Sequence, residues 1–254
     1  MDWNALTLFL MITGRMTGFV VFNPLLGRRG IPGVIKAGFV LLLSVSVFGM
    51  SSAELRMPST LLGLAFTFLL ELFLGYGLGL IVSIFFYIPL MAGSIVDLQM
   101  GLSMASAYDP ASGIQVTATS SLLNIFMSLL FFAANGHHTL IRIFFSSGLV
   151  VPFGAVSLGD EFYAAMIQIF INCTILGIKL SMPILAAEMM GQVGMGILMK
   201  AIPQINVFAI NIELKVIVGL AMLLILLVPF SEFLLDVETE MLLTLQRILP
   251  LMSG

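Results

Sequence analysis

The sequence predicts an all-α membrane protein, and three observations carry that prediction. Apolar residues make up 60% of the 254-residue chain and charged ones only 9%, where a soluble domain averages about a quarter charged. Mean hydropathy is +1.16, so a soluble fold would show water large apolar patches and aggregate. The apolar residues also run in long blocks, with no alternation of polarity and no hairpin signal. The net charge of −3 comes from few groups lying mostly between those blocks. No basic surface for nucleic acid is present.

The blocks are residues 5–26, 34–50, 61–91, 122–151, 162–199 and 205–230. A spanning helix needs roughly 20 apolar residues. The first block is long, and Met1-Asp2-Trp3-Asn4 before it is acidic rather than basic. That is unlike a cleaved signal peptide, so the first segment is expected to stay. The third and fifth blocks exceed one span and contain Pro89 and Pro183, and proline removes a backbone donor and bends a helix. Each reads as a long tilted helix, a kinked helix or a tight hairpin. Six to eight helices are expected, several of them broken, in one membrane unit.

Charges inside apolar blocks mark the candidate functional positions, because an ionised group in hydrocarbon must pair or meet water. These are Arg15, Glu71, Lys179 and Glu188, with Lys200 just past the fifth block and Asp97 opening the break after the third. Gly14 and Gly18, and Gly75 and Gly79, form small-xxx-small pairs, a spacing that lets helix backbones approach closely in lipid. Glu71 lies one turn before Gly75 on the same face. Two readings follow: packing within the chain, with Glu71 capping a neighbouring helix, or a subunit interface. For the other charges, structural pairing and a proton relay both stand.

Between the third and fourth blocks, from about Asp97 to Ser121, the chain is rich in Gly, Ser and Ala. Irregular backbone at membrane depth survives only when buried in protein or lining an aqueous cavity. Gly101 and Gly113 permit unusual backbone angles, and Asp109-Pro110 favours a turn. Met100, Leu102, Met104, Tyr108 and Ile114 place soft apolar tips along the stretch. Met adapts to irregular gaps, and an apolar constriction gates by dewetting. The stretch from Gln99 to Gln115 therefore reads as a pore plug or gate loop. The competing reading is a plain exposed loop.

Catalysis finds no support. There is no HExxH, GxSxG, Walker-type or paired-carboxylate arrangement. Asn135-Gly136 reads as a helix end. The adjacent His137 and His138 point in different directions on a helix, so a shared metal is not expected. Cys173 is the one cysteine and reads as a packed core thiol. No cofactor is implied.

Several phrases together resemble the FliR family of flagellar export-gate proteins. They are Phe22-Asn23-Pro24-Leu25-Leu26-Gly27-Arg28-Arg29-Gly30-Ile31-Pro32 with Lys36-Ala37-Gly38, then Glu71 with Gly75 and Gly79. Next come Gln99-Met100-Gly101-Leu102-Ser103 with Asp109-Pro110, then Asn135-Gly136-His137-His138. Last are Pro183 and Ala201-Ile202-Pro203-Gln204-Ile205-Asn206-Val207-Phe208. The resemblance covers nearly the whole chain, although residues 150–163 match no family phrase.

The resemblance implies a non-enzymatic, pore-forming subunit of a type III protein export gate. It would assemble with FliP and FliQ, with an FlhB-like protein wrapped against them. The complex would sit in the bacterial inner membrane at the flagellar basal body and pass unfolded flagellar proteins. The resemblance further implies a FliP-like part over residues 1–161 joined to a FliQ-like hairpin over 162–254. It places the family's plug loop on residues 99–115. An injectisome gate subunit shares that architecture. From a different class, a secondary transporter for a small solute would also use broken helices and buried charges. Dependence on unlike partners separates the two.

Overall fold

The computed structural model describes residues 3–28, 30–50, 60–102, 118–201 and 207–253, with backbone alone at 207–210 and 212. Among them are eight α-helices and a closing 3₁₀ turn. The helices are α1 (Trp3–Phe22), α2 (Gly33–Met50), α3 (Leu61–Met100), α4 (Ala118–Ala133), α5 (Gly136–Val150), α6 (Asp160–Ala201), α7 (Val207–Ile225) and α8 (Leu227–Ile248). The 3₁₀ turn is Leu249–Met252. Four helices (α1, α2, α3 and α6) are long and apolar enough to cross a membrane, or up to six spans if each bent pair counts as one.

The third and fifth apolar blocks are single helices, of 40 and 42 residues, that continue through Pro89 and Pro183. Neither is a hairpin. Proline costs a helix one hydrogen bond and a local bend, which a long apolar helix tolerates where its neighbours hold it. The fourth and sixth blocks divide. α4 and α5 meet at 69° where Asn135 takes the left-handed conformation, φ 60°, so Asn135-Gly136 does mark a helix end. Another bend, of 63°, separates α7 from α8. Pro229 follows it, and its ring is incompatible with a straight helix past the Ile225 carbonyl four residues earlier. The acidic stretch after residue 230 is helical too. In α8, Leu234, Val237, Glu238, Met241, Leu245 and Ile248 are buried at spacings of three and four, which mark one helix face.

The chain forms two compact units. The first comprises Met1–Phe85, Phe132–Ile171 and Val237–Gly254. In it α1 and α2 make a hairpin, with Phe9 edge-on to Phe48 at 5.8 Å. α1 and α3 run parallel: Gly14 meets Phe68, Gly18 meets the Leu72 backbone, Gly75 meets the Arg15 backbone and Gly79 meets Phe22. Phe19 of α1 stacks on Phe144 of α5 at 3.5 Å between centroids. Ser157 donates its N–H to the Met252 carbonyl at 3.0 Å, tying the 3₁₀ turn beside the α5–α6 connection.

The second unit comprises Phe86–Phe131 and Asn172–Asp236. Phe86 packs edge-on against Phe131 at 5.8 Å, Gly177 of α6 lies beside Ile88 and Met91 of α3, and Gly191 lies beside Leu214 of α7.

Candidate functional site

The first unit is organised around one buried ion pair. Arg15 Nε donates to Glu71 Oε2 at 2.6 Å, and both side chains are fully buried. Helical spacing makes the pairing possible, because Gly18 on α1 and Gly75 on α3 let the two backbones nearly touch one turn away. Two charges taken out of water are stable only if their remaining polar atoms are also satisfied. The turn after α5 supplies those partners. Both Nη atoms of Arg15 donate to the Val151 carbonyl, at 3.0 and 3.1 Å, and Nη1 lies 3.4 Å from the Ser147 hydroxyl. Glu71 Oε1 accepts the Gly154 N–H at 2.7 Å. Gly154 has φ +83°, a conformation open to glycine. The guanidinium also lies 4.3 Å from the centre of the Phe153 ring.

In the second unit a carboxylate joins the facing ends of α3 and α4. Asp97 Oδ2 accepts the Thr119 N–H at 2.9 Å, and Oδ1 accepts the Thr119 hydroxyl at 2.5 Å. A carboxylate at a helix N-terminus satisfies an orphan donor and complements the helix dipole. One turn back, Ser94 and Ser120 share a 2.9 Å hydrogen bond, and Ser120 also donates to the Leu90 carbonyl at 2.8 Å. Gly93 leaves no room for a Cβ above Ser120.

These geometries revise several expectations. The face carrying Gly75 and Gly79 is filled by α1 of the same chain, so it packs helices within the chain and is not a free face for another subunit. The break is shorter than its composition suggests, because α3 continues to Met100 and α4 begins at Ala118. Gln99 and Met100 are therefore helical. Met100 is not a loop tip but is fully buried against Gly219 of α7. Gly101, with φ +82°, and Leu102 form the turn that leaves α3. Met104, Tyr108, Asp109, Pro110, Gly113, Ile114 and Gln115 lie outside the described residues.

The remaining charges separate by burial. Glu188 is buried, facing Lys215 and the Gly219 backbone. Its Oε1 has no hydrogen-bond partner among the described residues, and neither does Asn211 Oδ1. Lys179 and Lys200 are exposed rather than buried, because they lie on the faces of α6 turned away from the chain's own core. His137 and His138 stack at 4.1 Å between ring centroids, and among the described residues no group of three or more His, Cys, Asp or Glu side chains is placed to hold a metal. The residues not anticipated from sequence are the receptors of the charges: Val151, Phe153 and Gly154 for the ion pair, Thr119 for Asp97, and Gly219 for Met100. Pro152-Phe153-Gly154 reads as a turn beside the fourth block, but nothing in the phrase names a charge that its backbone would receive.

The profile of the family described as "Bacterial export proteins, family 1" matches residues 6–241. A flagellar biosynthetic protein FliR from Bacillus subtilis is 31% identical over 241 residues, covering 91% of this chain and 92% of that protein. The chain belongs to the FliR family. Its Escherichia coli relative, also a flagellar biosynthetic protein FliR, is 26% identical over 244 residues, covering 93% and 92% of the two chains. One from Pectobacterium carotovorum is 28% identical over 230 residues, covering 87% and 85%. This FliR-family chain is thus a membrane protein of flagellar biosynthesis and export, and the matched span includes the Arg15–Glu71 pair, the Asp97–Thr119 cap and Glu188.

Proposed function

We propose that the chain is a structural, pore-forming subunit of the flagellar type III export gate in the bacterial inner membrane, at the basal body. It assembles with FliP- and FliQ-like proteins, and with an FlhB-like one, to pass unfolded flagellar proteins. Residues 1–161 serve as its FliP-like part and 162–254 as its FliQ-like hairpin. Residues 99–115 obstruct the path at rest.

One observation carries this reading. At about 1.5 Å per residue, α3 and α6 have contour lengths of about 60 Å, twice the roughly 30 Å hydrocarbon core of a bilayer. Large apolar side chains are exposed on both halves of α6: Ile167, Phe170, Ile171, Ile175 and Ile178 on one, Met189, Met190, Val193 and Ile197 on the other. Only 28% of its most apolar window is buried within the chain. Lipid can cover one half at moderate tilt. The other half needs protein. A solute transporter that works alone has no use for such a face, whereas a subunit of a larger assembly does.

The test is purification from flagellated cells in mild detergent with identification of bound proteins by mass spectrometry. Unlike apolar membrane proteins in fixed ratio are expected. A stable lone chain, or a symmetric self-oligomer, would point to solute transport instead.

A further inference from the structure

The C-terminal end of α3 is held from two sides by contacts of different kinds. Toward α4, Asp97 grips Thr119 through two charge-assisted hydrogen bonds, which are short and directional. Toward α7, Met100 lies fully buried with its Cγ, Sδ and Cε over bare backbone at Gly219. A Cβ at position 219 would stand 2.6 to 2.7 Å from those atoms, so the seat exists because residue 219 is glycine. An unbranched thioether on a glycine is soft and non-directional, and it can leave and re-enter without breaking a hydrogen bond.

The contact of α7 with α6, where Glu188 faces Lys215 and the same Gly219 backbone, is imperfectly matched. Glu188 Oε1 and Asn211 Oδ1 are buried acceptors on α6 and α7 without donors among the described residues, and a buried acceptor with no donor is a cost that packed interfaces normally avoid. A different position of α7 on α6 could relieve it, since Lys215 already faces Glu188.

We propose that α7 is the moving helix of this unit and Met100 its stop: Met100 sits on Gly219 at rest, and α7 shifts off it while a polypeptide passes. The inference rests on the export reading and deepens it by naming the contact that yields.

A reversible lock tests it. Met100→Cys and Gly219→Cys are combined in a Cys173→Ala background, so that no other cysteine is present. The 2.7 Å from Met100 Cγ to a Cβ at 219 is close to the separation of about 3 Å between a Cβ and the partner sulfur that disulfide geometry demands. Oxidation in cells should pair the thiols, read as loss of maleimide labelling. Secretion of flagellar proteins should fall in proportion to the paired fraction and recover with reductant, whereas secretion by each single-cysteine control, whatever its level, should not respond to oxidant or reductant. Pairing with undiminished secretion would overturn the proposal and leave the export reading standing, as would thiols that never pair in cells.

Should the double variant not accumulate, Met100→Ala asks the same question. It empties the seat, and resting membranes should then leak ions while secretion persists. An unchanged leak overturns the proposal. If cells lacking the chain secrete normally, the export reading itself fails.

Discussion

Arg15 and Glu71 are worth more to each other than either is to the fold. Buried ion pairs gain little over apolar residues of similar volume, but removing one partner strands an uncompensated charge at about 3–5 kcal/mol. Arg15→Met should therefore sharply lower the melting temperature in detergent. Arg15→Met combined with Glu71→Leu should recover much of the loss, and equal destabilisation of the single and double variants would contradict this account. That both charges need partners was legible in the sequence, since each sits in an apolar block beside a glycine pair, but that they find each other was not. The pair's further partners were not legible either, because Val151 and Gly154 contribute backbone atoms, and a backbone carbonyl or amide leaves no residue-type signature. Lys179 and Lys200 lie exposed on the chain alone, which leaves a place at a subunit interface open to them. Sequence shows that a charge lies within an apolar stretch but not which face of a long helix it occupies.

At the scale of elements, the glycine pairs decide how α1 meets α3. Gly18 and Gly75 each face backbone of the other helix, with no space for a Cβ. Gly75→Leu should push the helices apart and strain the ion pair one turn away, a cost well above the 1–3 kcal/mol usual for overpacking. Gly38→Leu on α2, where a Cβ would meet nothing within 4 Å, should be tolerated. Accumulation and protease resistance of the two variants in membranes check this, and similar behaviour would remove the glycines' special role. Helix existence was readable from apolar blocks, whereas boundaries were not. α8 escaped notice because its carboxylates lower the local hydropathy while its buried face keeps the helical period. The end of α3 was misplaced because Asp97 and Gln99 look like loop residues, although Asp97 is in fact the cap of the following helix.

For the whole molecule, the mismatch between helix length and bilayer thickness has a direct readout. Cysteines placed at Ile167 and Val193, one on each exposed half of α6, should both resist a water-soluble maleimide in the assembled complex. In the chain expressed without unlike partners, one of the two should become reactive, because lipid cannot shield both. Protection of both in the lone chain would mean that α6 lies steeply tilted within the bilayer. Membrane class and family were legible from composition and from ordered phrases spread along the chain. The division into two units was not, because it cuts within α3, α4, α6 and α8, where no helix boundary marks it.

The buried ion pair also has a consequence for biosynthesis. Ribosomes deliver α1 first, then α2, and only later the stretch of α3 that carries Glu71. During that interval Arg15 has no carboxylate, and insertion scales put a lone arginine at the middle of a span at about 2.5–3.5 kcal/mol. α1 is thus a helix that the bilayer accepts poorly until its counterion arrives, so the chain's N-terminal region should linger in the insertion machinery during synthesis. A fragment ending at residue 60 should be short-lived in pulse-chase labelling, and Arg15→Leu in that fragment should prolong its life. In the full chain the same substitution should do the reverse.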